Sequence, residues 1–221
     1  MTTNHRIEAA DALAIGQMES ARFDADIWYP AQCSPYDSFL EIGCGNGAFL
    51  TYLAARKVTR FQGIDPDPAL AEMVPTPVRA HFSCRDAWQL LDDPEAGPFD
   101  RVILTHILEH LSPEDGIRLL QTLRPRLNEG ARVVVRVPNA ASPWSLTGRY
   151  GDLSHRTAFT PSALGQLAAQ AGYDVTATWP QRHGSRRRRF TDALLHRFLS
   201  WALLDPPPLW SANFYGMLSP R

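Results

Sequence analysis

The stretch Asp37-Ser-Phe-Leu-Glu41-Ile-Gly43-Cys44-Gly45-Asn-Gly47-Ala-Phe-Leu50 decides the fold. An apolar run stops at three glycines spaced two apart and then resumes with helical character, so it reads as strand, tight loop and helix. A loop that turns this sharply needs residues able to take positive φ and to let a ligand approach the backbone, and Gly43, Gly45 and Gly47 supply both. The loop is expected to be a binding site.

Gly43, Gly45 and Ala48 also satisfy the dinucleotide fingerprint G-x-G-x-x-G/A, with Asp65 at a suitable distance for a ribose. Spacing does not decide between nucleotides, but charge does. A pyrophosphate wants a helix N-terminus free of carboxylates, and Glu41 stands two residues before the first glycine. S-adenosylmethionine has no phosphate and carries a sulfonium and an ammonium, which a carboxylate attracts. Here the chain resembles the class I S-adenosylmethionine-dependent methyltransferases, whose first motif has an acidic residue followed by G-x-G-x-G, as Glu41 to Gly47 do. The resemblance runs over roughly Phe39 to Tyr173. It implies a doubly wound α/β domain with strand order 3-2-1-4-5-7-6, the seventh strand antiparallel between the fifth and sixth.

The 221 residues are 44% hydrophobic, enough for one domain of this size. The expected division of residues 1–221 is an N-terminal cap (1–36), a substrate loop (139–160), and a basic segment with an amphipathic helix (181–208). Lys and Arg number 22 against 23 Asp and Glu, so no global field recruits nucleic acid. Cys33, Cys44 and Cys84 lack paired spacing, which argues against a disulfide framework or structural zinc and for a reducing compartment. The start Met1-Thr-Thr-Asn-His-Arg has no apolar core, and no run approaches the ~18 apolar residues of a membrane span. A cytoplasmic protein, at most peripheral to the inner face of the membrane, is expected.

Along the chain, a weak amphipathic pattern covers Ile7 to Met18, followed by Phe23, Trp28, Tyr29 and Pro30. Trp28 and Tyr29 are either lid residues or plain packing. A helix to about Arg56 precedes the second strand, Arg60 to Asp65. Asp65 and Pro66 then lie beyond a strand's carboxyl end, where a carboxylate can accept from both ribose hydroxyls, while Asp67 fits a helix N-cap better. Val78 to Ser83 reads as the third strand. Asp86, with Ala87 and Trp88 beside it, resembles the family's adenine contact.

The fourth strand, Pro98 to Thr105, leads into His106-Ile-Leu-Glu109-His110-Leu111. Alone, H-x-x-E-H is a zinc signature on a long helix. This segment follows a strand directly and is cut short by Ser112-Pro113, so no metal is expected; Leu108 to Leu111 instead resembles the "LEHL" turn of the family's fourth motif. The next helix is expected to end at Gly130, before an apolar fifth strand from Ala131 to Pro138. From Asn139 to Thr160 the chain reads as a long irregular loop holding Asp152, His155 and Arg156 among Trp144, Tyr150 and Phe159, and loops of this length are usually functional. His155 ahead of a Phe-Thr-Pro helix start resembles methyltransferases acting on small metabolites, quinones and bacterial glycans.

A helix after Thr160-Pro161 and a sixth strand, Tyr173 to Trp179, precede an arginine cluster that includes Arg186 to Arg189. The helix from Phe190 to Leu204 is mostly apolar and suits either packing on the core or an anionic membrane surface contacted through residues 182–204. The resemblance implies methyl transfer from S-adenosylmethionine to a small-molecule or lipid-linked acceptor, with oxygen the expected site. His155 is the first candidate base, with His110 and Asp152 behind it. The cofactor set is Glu41, Gly43, Cys44, Gly45, Gly47, Asp65, Pro66, Asp86, Ala87 and Thr105. A nucleic-acid methyltransferase using Arg186 to Arg189 and a non-catalytic binder of the cofactor are the alternatives, and no obligate protein partner is evident.

Overall fold

A computed structural model describes residues 16–182 and 184–221. The expected amphipathic pattern of Ile7 to Met18 and the His183 position of the basic cluster therefore lie largely outside the described residues. Chain order opens with helix α1 (Gln17–Phe23) and a π-helical turn (Asp24–Trp28), then β1 (Ser38–Ile42), α2 (Ala48–Ala55), β2 (Arg60–Asp65) and the short α3 (Pro68–Ala71). A 3₁₀ turn (Thr76–His81), β3 (Phe82–Cys84), α4 (Ala87–Leu91), β4 (Phe99–Thr105) and α5 (Pro113–Leu123) follow. The rest is β5 (Leu127–Pro138), α6 (Leu146–Tyr150), α7 (Pro161–Ala171), β6 (Tyr173–Pro180), α8 (Arg186–Ala202) and β7 (Asn213–Pro220).

The seven strands form one sheet in the order β3-β2-β1-β4-β5-β7-β6, with β7 antiparallel to both neighbours and the other pairs parallel. This is the expected architecture. Strand residues alternate between two buried faces. Leu40, Ile42, Val102, Leu104, Val133, Val135 and Val137 pack with α5 and α7 on one side. Phe39, Ile103 and Val134 face α2 and Trp28 on the other. Because the period is two, Glu41 and Arg136 share the second face with Phe39 and Val134.

Four local expectations are corrected. Val78 is buried inside the 3₁₀ turn, and only Phe82–Cys84 pair with β2; Pro75 at the cap and Pro77 in the first turn lack their own N–H and have φ preset for a helical start. Helix α5 stops at Leu123 rather than Gly130, because Pro125 has no N–H and its ring disrupts the last turn. Gly130 instead takes φ +74 within an irregularity of β5, where the register against β4 shifts between Phe99 and Arg101. The 139–160 segment is not wholly irregular, since the Ser142 side chain caps a 3₁₀ turn at Pro143–Ser145 that runs into α6.

The fourth correction concerns α8. The helix begins at Arg186, behind a Ser185 cap, and ends at Ala202. It is not packed on the core: Phe190, Leu194, Phe198 and Trp201 are all largely exposed, Trp201 at 81%. No helix among the described residues is long and apolar enough to cross a membrane.

Candidate functional site

The glycine loop is built as its sequence dictates. Gly43, Gly45 and Gly47 all take positive φ, at 75°, 54° and 75°. A Cβ on Gly43 would lie 2.3 Å from Ile107 Cδ1 and would have to displace that side-chain end, while the positive φ itself favours glycine here. The amides of Gly43 and Cys44 donate to the Ile64 carbonyl at 2.8 and 3.0 Å, binding the loop to the end of β2.

A cavity of about 220 Å³ opens against this loop, lined among others by Glu41, Gly43, Cys44, Gly45, Thr105 and Arg136. Glu41 is buried, one of its oxygens lacks a hydrogen-bond partner, and burial holds its carboxyl well above the usual range. The charge of Arg136 works against that shift and the charge of Asp65 adds to it. Burial likewise keeps the Cys44 thiol protonated. Asp65 accepts from the Gly45 amide at 3.0 Å and from Asp67 N–H at 3.1 Å. Asp67 is the N-cap of α3, as its sequence position suggested.

Farther along the same edge, the Pro66 carbonyl faces Cys84 Sγ at 3.8 Å, and Asp65 pairs with Cys84 in the β2–β3 register. Asp86 forms a capping box with Gln89, which engages one carboxylate oxygen. Ala87 and Trp88 are partly buried against the core, and Arg118 lies 4.7 Å over the Trp88 ring, so the indole packs between helices rather than beside an open loop. Trp28 is also no lid: it is buried and stacks on Phe39. Tyr29 is exposed.

The second group forms where the turn after β4 meets the loop after β5. His106 has φ +57, donates its amide to the Arg136 carbonyl, and its Nδ1 lies 2.6 Å from Glu109 Oε1. The amides of Arg156 and Thr157 donate to the Glu109 carbonyl at 2.8 and 3.1 Å, and the Thr157 hydroxyl donates to Leu111 at 2.6 Å. These bonds pin the loop to the turn and bring the His155 ring to 4.7 Å from that of His110. Asp152 accepts from the Ser154 hydroxyl and amide, which together hold its carboxyl below the usual range. Its other oxygen is 3.8 Å from His155 Nε2. The three expected catalytic residues are thus brought together from two segments, His110 from the short turn after β4 and Asp152 and His155 from the loop after β5, and not from the long helix a zinc peptidase requires.

A larger cavity, about 920 Å³, lies beyond and shares Arg22 and Arg136 with the smaller one. One face of α8 contributes Arg189, Asp192, Ala193 and His196 to its wall. Trp144 donates to His196 at 3.1 Å, and His196 stacks on Trp210 with centroids 5.3 Å apart, so the post-β5 loop, α8 and the chain before β7 close around it. Arg136 escaped the sequence reading. The signal was present, since a lone charge interrupts the apolar run Val133-Val-Val-Arg-Val137 and faces the same side as Glu41.

A sequence profile described as a methyltransferase domain matches residues 19–178. No curated protein matches the chain in sequence. Among solved structures, a S-adenosylmethionine-dependent methyltransferase from Archaeoglobus fulgidus aligns over 97% of this chain and 99% of its own, at 19% identity and TM-score 0.67. One from Clostridium acetobutylicum aligns over 97% and 96%, at 9% identity and TM-score 0.63. The O-methyltransferase NcsB1 of neocarzinostatin biosynthesis, solved with S-adenosylmethionine and 2-hydroxy-5-methyl naphthoic acid, aligns over 99% of this chain but 59% of its own, at 16% identity and TM-score 0.58. At these identities the likeness carries the fold, and this chain spans little more than half of the last protein.

Proposed function

The chain belongs to the methyltransferase-domain family, class I enzymes that take a methyl group from S-adenosylmethionine, and from that premise we propose that it methylates a small polar or lipid-linked acceptor at oxygen. The observation that carries the acceptor reading is the shared wall of the two cavities. A donor at the glycine loop and an acceptor in the 920 Å³ cavity meet at Arg136.

In this reading Glu41, Gly43, Cys44, Gly45, Gly47 and Thr105 surround the methionine end of the donor. Asp65 takes the ribose hydroxyls, with Pro66 beside it, and Asp86 and Ala87 take the adenine. The support for Asp65 is its place beyond the carboxyl end of β2 together with its bond to the Gly45 amide. Glu41 faces the sulfonium and ammonium, whose positive charge favours the carboxylate that burial alone disfavours.

The sulfonium is already activated, so the reaction needs an acceptor oxygen in line with the methyl, exclusion of water and loss of one proton. The new O–CH₃ bond forms as the S–CH₃ bond breaks, and S-adenosylhomocysteine leaves uncharged at sulfur. We assign the proton's departure to the group of His155, His110 and Asp152.

The lipid-linked form of the acceptor is favoured by α8. Its inner face walls the acceptor cavity, and its outer face carries Phe190, Leu194, Phe198 and Trp201 with Arg187 and Arg197 between them. An exposed apolar stripe flanked by guanidinium groups suits an anionic membrane surface, where long basic side chains extend to the headgroups. The single domain is supported by the one seven-stranded sheet of the described residues, and the 139–160 loop and 181–208 segment are its substrate elements because both contribute to the wall of the larger cavity.

The test is incubation with methyl-labelled S-adenosylmethionine and a panel of quinols, sugars and lipid extracts, with label expected in one extractable class. Label in none, with donor still bound, would leave a non-catalytic binder. Transfer to nucleic acid with a steep loss of binding as salt rises would assign the arginine cluster to phosphates instead.

A further inference from the structure

Among the described residues, Glu109, His110 and His155 form a group whose potential ligand atoms lie within 4.8 Å of one another. The outward partners of the two rings fix where their protons sit. The Arg149 carbonyl can only accept, so its 3.3 Å contact with His155 Nδ1 puts the proton there and leaves the lone pair on Nε2. Ser154 donates its hydroxyl to Asp152 at 2.6 Å. Its 2.9 Å contact with His110 Nδ1 is therefore one in which the ring donates, and His110 also keeps its lone pair on Nε2. An imidazole held by an outward N–H bond, itself backed by a carboxylate or carbonyl, is the arrangement that orients metal-binding histidines.

Glu109 supplies the charge. It is 1% exposed, Oε1 is held by His106, and Oε2 is buried without a hydrogen-bond partner. A buried carboxylate oxygen with no donor, two imidazole lone pairs and the Asp152 carboxylate at the rim make a set of acceptors that a cation satisfies.

We propose that Glu109, His110 and His155 hold a divalent first-row transition cation. Two imidazoles and one carboxylate suit manganese through zinc better than magnesium or calcium. The inference deepens the methyl-transfer reading and rests on it for its purpose: an acceptor oxygen in the open position would be favoured in its deprotonated form, the two imidazoles then holding the cation and leaving Asp152 to take the proton. His106 is then not a ligand, as the H-x-x-E-H pattern would have it, but the residue that orients Glu109.

The test uses the full chain, stripped with chelator and free of any polyhistidine tag, titrated by calorimetry at pH 7.5 with zinc or manganese chloride and with magnesium chloride as contrast. Neither donor nor acceptor is present. One zinc or manganese per chain is expected, with magnesium at least about tenfold weaker. Glu109→Gln and His155→Ala should each weaken uptake by about 10- to 100-fold or more, and His81→Ala, whose ring stacks on Phe61 away from the group, should bind like the parent. The His155 side chain is 8% exposed, so S-adenosylhomocysteine binding by each variant serves as the check that it is folded, and His155→Ala keeps the test decisive if the buried Glu109 variant fails to fold. Absence of one-to-one uptake, or equal uptake by the variants, overturns the proposal. S-adenosylhomocysteine binding by the same samples separates the readings: binding without metal uptake leaves methyl transfer intact, whereas loss of both strikes the donor assignment.

Discussion

The Asp65 carboxylate at the end of β2 accepts the Gly45 amide at 3.0 Å, locking the glycine loop to the strand beside it. Its other oxygen accepts from Asp67 at 3.1 Å, and both keep lone pairs for a ribose. Asp65→Asn replaces an acceptor by a donor at nearly constant shape. Because hydrogen bonds to charged groups contribute about 1.5–3 kcal/mol, S-adenosylhomocysteine affinity should fall about 10- to 100-fold by calorimetry.

Gly43 and Gly45 differ in surroundings though not in backbone. Gly45→Ala meets nothing within 4 Å and should lose only the left-handed penalty of about 1–2 kcal/mol. Gly43→Ala adds the contact with Ile107 and should lose more. Urea denaturation should show the Gly43→Ala loss shrinking in an Ile107→Ala background, but not vanishing, since φ stays at +75°. An equal loss in both backgrounds would refute the steric account.

Glu41 gives a pH signature. Burial raises its folded-state pKa, so the folded protein binds more protons than the unfolded chain above the ordinary glutamate value of about 4.3, and its contribution to stability falls as pH rises from there. Glu41→Gln removes that fall. In donor-free protein its midpoint should exceed the parent's near neutrality by a few degrees, with the gap closing toward about pH 4. Donor affinity should move the other way. Midpoints measured across pH, with and without S-adenosylhomocysteine, check both signs.

His155→Ala should reduce turnover by about 100-fold or more on the acceptor that the labelling screen identifies, whether the imidazole takes the proton or holds a cation. S-adenosylhomocysteine affinity should change less than about twofold. A comparable loss of donor binding would move His155 out of the acceptor site.

Trp201 is 81% exposed, so Trp201→Glu should leave the thermal midpoint unchanged. Co-sedimentation with vesicles of equal phosphatidylglycerol and phosphatidylcholine should fall on the order of tenfold, and the parent should not sediment with pure phosphatidylcholine. Equal binding of parent and variant would remove the membrane from the acceptor reading.

The legible parts of the sequence were those whose physics is local. Proline caps at Pro68, Pro113 and Pro161 and the glycine stop at Gly172 mark helix ends because each acts on its own backbone neighbours. The 3₁₀ turn at Pro143 carries the same Ser-Pro signal, but it is too short and too isolated to stand out within a long polar segment. Arg136 and Glu109 were missed as partners because burial and charge pairing arise between strands and turns far apart in sequence.

By itself the chain determined its sheet and its glycine loop, since period-two burial and positive-φ glycines are requirements of individual residues. Only the tertiary structure decided that α8 stands off the core as a cavity wall and that the post-β5 loop carries His155 onto Glu109 and His110. The second depends on backbone bonds from Arg156 and Thr157 to Glu109 and the first on side-chain contacts of His196 with Trp144 and Trp210, all between segments distant in the chain, which no spacing in the sequence encodes.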